Sequence, residues 1–226
     1  MKIMDIHSHT YFSACGADKH EDTINAAING GIQLFGISDH CYGIGERREE
    51  YIRIIDEMKT AYKDKIQLLC GIEIATVPGL GIDEPETVKG FEYCLIEHID
   101  RDESTVGMNI FDYADRFGCK VGIAHTDLIG MAIRKGLDPT EFLSRFAQHG
   151  IFWEMNVNYD SIHRFSEHQY MLDFLKKPNI TKIVKDSGIK LSVGFDGHRV
   201  YDYDPERVIR MNEFIHNSGI EMVSFE

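Results

Sequence analysis

Seven short apolar runs recur along the chain, each ending on or near a histidine or a carboxylate, and segments with helical patterning separate them. The runs span residues 2–9, 32–40, 67–77, 91–98, 119–125, 151–158 and 190–198. The intervening segments 21–29, 46–65, 109–117, 139–148, 167–187 and 205–217 read as helices; in 46–65, Tyr51, Ile54, Ile55, Met58 and Tyr62 fall on one face. Asp138 before Pro139 and Gly150 after the segment supply a start and a stop. Strands alternating with helices predict an α/β protein with a mostly parallel sheet, either open and doubly wound or closed into a barrel. No linker or low-complexity tract divides the 226 residues, so a single domain over 1–226 is expected. The stretches 77–87 and 161–168 read as loops long enough to carry function.

Composition narrows the class of function. With 24 Lys plus Arg against 37 Asp plus Glu, the net charge of −13 excludes a nucleic-acid polymer as the expected partner. The five cysteines include no C-x-x-C pair, which argues against a disulfide framework or a zinc ribbon and for reduced thiols. No signal-peptide core and no apolar run of membrane-spanning length is visible, so a soluble, cytoplasmic protein is expected.

The strand ends carry the chemistry. Side chains alternate along a strand, so Asp5, His7 and His9 are expected on one face and Met4, Ile6 and Ser8 on the other. Asp196 and His198 pair in the same way near residue 194, and Glu154, Asn156 and Asn158 oppose Trp153, Met155 and Val157. His40, Glu73, His98 and His125 close the runs between. One such residue alone has a plain explanation as a hydrogen-bonded histidine or a cap. Several imidazoles and carboxylates on one inner face would each cost several kcal/mol unpaired, and bound cations remove that cost. Imidazole with carboxylate suits Zn, Mn or Fe. The candidates outnumber the ligands of one tetrahedral ion, which predicts two or three divalent ions with Glu73 able to bridge a pair, a hydrolytic arrangement.

The ordered set Asp5-Ile6-His7-Ser8-His9-Thr10 with Ser13 and Gly16, Ser38-Asp39-His40, Glu73, His98, Ala124-His125, Glu154-Met155-Asn156 and Gly194-Phe195-Asp196-Gly197-His198 resembles the PHP (polymerase and histidinol phosphatase) family. The resemblance implies a distorted seven-stranded TIM-like (β/α)7 barrel with a metal site on its carboxyl-end face. It implies His7, His9, Glu73 and Asp196 on one ion, Glu73, His98 and His125 on a second, and His40 and His198 on a third. Where the family's motif places an Asp or His ligand of the third ion, this chain has Cys15, either a thiolate ligand or a weakened site.

The activity expected is hydrolysis of a small phosphorylated metabolite, histidinol phosphate being one option, by a metal-bridging hydroxide, with Glu73, Asp196 and His198 as catalytic residues. Arg164 and Arg199 are expected to hold the phosphate, and Asp5, Glu154 and Asn156 to support the ligands from behind. His163 and His168 are candidates for the cavity mouth; His20, His149 and His216 read as structural. Two other readings stay open: an amidohydrolase cleaving a C–N bond, and a metal-binding protein whose catalysis is impaired through Cys15.

Overall fold

The structure is a computed structural model that describes residues 2–81 and 88–225. Of the 77–87 loop expected to carry function, residues 82–87 lie outside the described part. Seven strands form one sheet in chain order: β1 (Met4–Asp5), β2 (Leu34–Ile37), β3 (Gln67–Ala75), β4 (Tyr93–Glu97), β5 (Lys120–Ile123), β6 (Phe152–Asn156) and β7 (Leu191–Gly194). Every pairing is parallel. The first and last strands meet: Ile6 N–H donates to the Val193 carbonyl at 3.0 Å, Asp196 N–H to His7 at 2.8 Å and His9 N–H to Gly197 at 2.8 Å. The sheet is therefore a barrel and not an open layer, as the (β/α)7 expectation requires.

Helices run between strands: α1 (His20–Asn29), α2 (Cys41–Ile44), α3 (Arg48–Tyr62), α4 (Ile110–Ala114), α5 (Leu128–Arg134), α6 (Pro139–Gln148), α7 (Gln169–Lys176), α8 (Pro178–Ser187) and α9 (Pro205–Asn217). Strong local signals set the two sharpest boundaries. Asp138 accepts from Glu141 N–H and Asp204 from Glu206 N–H, with proline at the first helical position in each case. The helix-rich stretch 167–187 is two helices broken at Pro178, whose ring disfavours helical backbone in the residue before it. Helices α2 and α5 have no counterpart in the sequence reading. No helix among the described residues is long and apolar enough to cross a membrane.

Two apolar clusters separate along the strands by parity. Leu69, Tyr93, Leu95 and Phe152 belong with Met4, Ile6, Leu34 and Ala124, and Met222 and Phe225 pack against them. Their strand neighbours Leu68, Cys70, Cys94, Ile96, Trp153 and Met155 belong with the helices. Alternation makes the first set the barrel interior and the second the layer between strands and helices. The interior parity then continues toward the carboxyl ends as Glu73, Glu97, Glu154 and Asn156, all buried. An apolar plug thus floors a polar cavity. Tyr93, fully buried in that plug, donates its hydroxyl to the Ile6 carbonyl at 2.7 Å.

Strict alternation fails in β1. Met4 and Ile6, not Asp5, join the interior cluster, yet His7 also turns inward toward Glu73. Regular strand ends at Asp5, and beyond it the backbone hydrogen bonds pass to the segment after β7, where Asp196 adopts a positive φ of 57°.

Candidate metal centre

Glu73, at the inner end of β3, is the hub. Its carboxylate lies 3.2 Å from His7 Nε2, 3.5 Å from His9 Nε2, 2.7 Å from His40 Nδ1 and 3.0 Å from His125 Nε2. Asp196 Oδ1 lies 3.0 Å from His9 Nε2, 3.5 Å from His7 Nε2 and 3.8 Å from His198 Nε2. These groups meet at the base of a cavity of about 520 Å³ whose wall includes Cys15, His40, Glu97, His98, His125 and His198. A cavity of about 600 Å³ lined by Phe91, Lys120, His149 and Phe225 is larger, but it contains none of the clustered ligand groups.

Partners behind the ring fix which nitrogen of each imidazole faces the cavity. His7 Nδ1–H donates to Glu154 Oε1 at 2.8 Å, and His198 Nδ1–H to Asp160 Oδ2 at 3.2 Å. Ser13 Oγ gives its own proton to Asp39 Oδ1 at 2.6 Å, so it accepts from His9 Nδ1–H at 3.2 Å. In all three rings Nε2 keeps its lone pair toward the cavity, the arrangement that metal-ligating histidines adopt.

Ligand atoms within 4.8 Å of one another form four groups: His7, His9 and Asp196; His40, Glu73 and Glu97; His9, Cys15, His40 and His198; and Asp160, His163 and His198. His7 Nε2, His40 Nδ1, Glu73 Oε2 and His98 Nδ1 are buried without a hydrogen-bond partner. The 2.7 Å approach of His40 Nδ1 to Glu73 is thus a contact without hydrogen-bond geometry, as when both atoms aim at a common point.

On protein groups alone, the charges balance only with extra protons on imidazoles. Burial opposes a charged His7, but Glu154, Asp196 and Glu73 outweigh it and hold His7 well above its ordinary value. Burial likewise opposes a charged His40, yet Glu73 and Cys15 push it up to about 11. Burial, then the charge of Glu73, raises Glu97 to about 7. Replacing such protons by divalent ions satisfies the same carboxylates, so the donor set fits metal.

The structure brings His7, His9, His40, Glu73, His125, Asp196 and His198 together, with Cys15 beside them. His98 stands at the rim with Nε2 on Glu97 at 3.0 Å and its ring centroid 6.1 Å from that of His125. Glu154 and Asn156 lie behind the ligands: Glu154 Oε2 accepts from His125 N–H at 2.8 Å, and Asn156 Nδ2 bridges Glu154 and Asp196 at 3.3 and 3.4 Å.

Two expectations are corrected. Asp5 supports no imidazole: its carboxylate accepts from Phe195 N–H at 3.0 Å, Tyr203 Oη at 2.7 Å and His7 N–H at 3.4 Å, because the pleat of β1 turns it toward the β7 seam. Arg164 and Arg199 do not line the cavity. Arg164 is exposed at a positive φ of 56°, and the Arg199 guanidinium donates to Tyr201 Oη at 2.8 Å. Among the described residues, the cation in the cavity wall is Arg101, next to Asp100.

Sequence reasoning also missed Glu97, Asp160 and Tyr42, whose ring stacks on His40 at 4.7 Å. Glu97 carries a visible signal, the parity of Tyr93 and Leu95. Asp160 carries none, because its partner His198 is 38 residues away. Of the mouth candidates, His163 donates Nδ1–H to Asp160 at 2.9 Å and His168 stacks on His125 at 5.8 Å. His20 is buried against Phe12 and Tyr51.

Residues 5–213 match the PHP domain family. No curated protein matches the sequence. Among solved structures, the chain is similar to a histidinol phosphate phosphatase of Lactococcus lactis subsp. lactis Il1403, complexed with zinc, L-histidinol and phosphate. Identity is 16% and TM-score 0.65, covering 100% of this chain and 97% of that one. A Listeria monocytogenes protein provisionally named a histidinol phosphatase aligns at 13% identity and TM-score 0.57, covering 88% of this chain and 96% of that one. A Bacillus anthracis protein provisionally named a 3-DHS dehydratase aligns at 12% identity and TM-score 0.52, covering 92% and 99%. At these identities the likeness is one of fold.

Proposed function

Because the chain belongs to the PHP domain family, we propose that it hydrolyses the phosphate monoester of a small metabolite at a centre of two or three divalent ions, as a histidinol-phosphatase-like enzyme. The observation that carries this reading is the convergence of imidazoles and carboxylates on one cavity, with buried His7, His40 and Glu73 atoms lacking any hydrogen-bond partner.

His7, His9, Glu73 and Asp196 would hold one ion, Glu73, His98 and His125 a second, and His40 and His198 a third, with Zn, Mn or Fe the metals this donor set suits. Divalent ions bound there would neutralise phosphate oxygens and bring the pKa of water near neutrality. The chain's own residues do the positioning. Glu154, Asp160 and the Ser13–Asp39 pair hold the rings in one tautomer and orientation. Glu73, Asp196 and His198 are the catalytic residues of this reading, and all three line the cavity that would take the phosphate. The apolar plug under Glu73 keeps water from entering through the barrel floor.

At about 520 Å³ the cavity is of metabolite size. Tyr42, Ile162 and His168 offer flat or apolar surface for a leaving group, while Arg101 adds positive charge in its wall. Zinc, L-histidinol and phosphate in the Lactococcus lactis structure support a small phosphorylated substrate.

The test is a panel of phosphorylated metabolites, histidinol phosphate included, with Mn- or Zn-loaded protein. Phosphate release that disappears in His7→Ala is expected. Release of ammonia from C–N substrates in place of phosphate would establish the amidohydrolase reading, and full metal occupancy without turnover on any substrate would leave a metal-binding protein.

A further inference from the structure

The third ion of the reading above raises a question about this chain alone: what completes its ligand set where Cys15 stands. His40 and His198 offer two imidazoles, and the Cys15 sulfur lies with their ring nitrogens and one of His9 in a group whose ligand atoms are all within 4.8 Å of one another. His9 has a single free lone pair, on Nε2, and that atom is 3.0 Å from Asp196, on the side of the first ion. Three donors remain for the third.

We propose that Cys15, His40 and His198 form a thiolate–bis-imidazole site with its fourth position open, selective for a borderline-soft ion such as Zn²⁺ over the harder Mn²⁺ and Mg²⁺. The proposal rests on the metal-dependent reading of this cavity.

The thiol is held in place by the fold. Asp39 accepts from Thr10 N–H and Oγ1–H, both at 2.7 Å, from Ser13 N–H at 3.0 Å and from Ser13 Oγ–H at 2.6 Å. Those bonds pin the loop that carries Cys15. Ala17 N–H then donates to the His198 carbonyl at 3.1 Å, tying the other side of Cys15 to the strand end that bears a partner ligand. The two imidazoles are buried as well: His40 is 9% and His198 4% exposed, while the unpartnered Nδ1 of His40 faces Glu73 at 2.7 Å, on the side of the neighbouring ion.

The donor chemistry sets the selectivity. A hard carboxylate in the place of Cys15 would accept Mn²⁺ or Mg²⁺ readily, whereas a thiolate shifts preference toward Zn²⁺ and Co²⁺. Three protein ligands with one open position also match zinc sites that work, as opposed to closed four-ligand structural ones. The thiol proton leaves to solvent as the ion binds.

The experiment loads the whole chain with Co²⁺ and records its absorption spectrum and its ion count, beside Cys15→Ser and Cys15→Asp. Wild type is expected to show a thiolate-to-cobalt charge-transfer band. Cys15→Ser loses the band and about one ion per chain, while Cys15→Asp loses the band but keeps the ion count, since a carboxylate also ligates. Far-ultraviolet circular dichroism confirms that each variant folds. In a competition with excess Mn²⁺, Cys15→Asp exchanges one ion that wild type retains as zinc. A cobalt-loaded wild type without the band, or a Cys15→Ser protein with an unchanged ion count, overturns the assignment. Neither readout depends on turnover, so failure of the phosphatase reading would appear separately, as full spectra without phosphate release.

Discussion

Replacing Glu154 by glutamine tests how the ligands are oriented, because the two carboxylate oxygens have different duties. Oε1 accepts from His7 Nδ1–H at 2.8 Å; Oε2 accepts from His125 N–H at 2.8 Å. Glutamine offers one carbonyl and one amide N–H₂ in the same volume. If the carbonyl stays on His125 N–H, the amide faces His7 Nδ1, and the ring proton is driven to Nε2, the atom meant for metal. If the carbonyl stays on His7, the buried His125 N–H is left opposite a donor. Loss of a carboxylate behind a ligating histidine typically lowers metal affinity about 10- to 100-fold, or about 1.4 to 2.7 kcal/mol.

The same amount disappears from the stabilisation that excess metal gives the folded chain. In a chain of this length about 1 kcal/mol corresponds to roughly 2–4 °C, so the metal-induced rise in Tm should shrink by about 3–11 °C. Calorimetry with and without Mn²⁺, together with chelator competition, measures both quantities. An E154Q protein with wild-type affinity and the full metal-induced rise would refute the orienting role.

Other consequences follow from buried contacts. Asp39→Ala removes the acceptor of Thr10 N–H, Thr10 Oγ1–H, Ser13 N–H and Ser13 Oγ–H, all buried, and at about 1–3 kcal/mol per orphaned group the loss should reach several kcal/mol in urea unfolding; a change under about 1 kcal/mol would contradict it. Gly194→Ala puts a methyl 2.0 Å from Glu154 Oε1 and 2.5 Å from His7 Cβ. It should cost about 1–3 kcal/mol of stability and reduce metal content, and a variant with wild-type Tm and ion count would show that the close approach is unimportant.

Much of this organisation is legible in the sequence because the barrel imposes it locally. Strand after strand, apolar residues end in an ionisable one, since the carboxyl ends of all strands in a parallel barrel open on one face. Helices α6 and α9 are readable to the residue through their Asp-Pro starts. Helix α5 was hidden: Leu-Ile-Gly-Met-Ala-Ile-Arg is apolar on most sides, with four of its residues buried, so no amphipathic period marks it.

Strand parity misleads where the backbone leaves the pleat. His98 has a positive φ of 66°, and its ring reaches the cavity wall beside the Glu97 carboxylate, although neighbours on a strand should face apart. In β1 the pleat faces Asp5 away from Met4 and Ile6, toward Tyr203 and Phe195, and the departure after it turns His7 inward. The roles of Asp39 and Asp160 were out of reach for a different reason: Thr10 and Ser13, and His198, lie 26 to 38 residues from them in sequence and are brought close by the pairing of neighbouring strands.

The central claim is that divalent ions neutralise the buried acids and imidazoles of this cavity. Elemental analysis of protein purified without chelator, followed by a melting curve before and after chelation, tests it most directly. The account predicts at least two transition-metal ions per chain and a fall in Tm on their removal that is reversed by adding Zn²⁺ or Mn²⁺. A chain that carries no ions, and whose Tm does not respond to adding them, would contradict it.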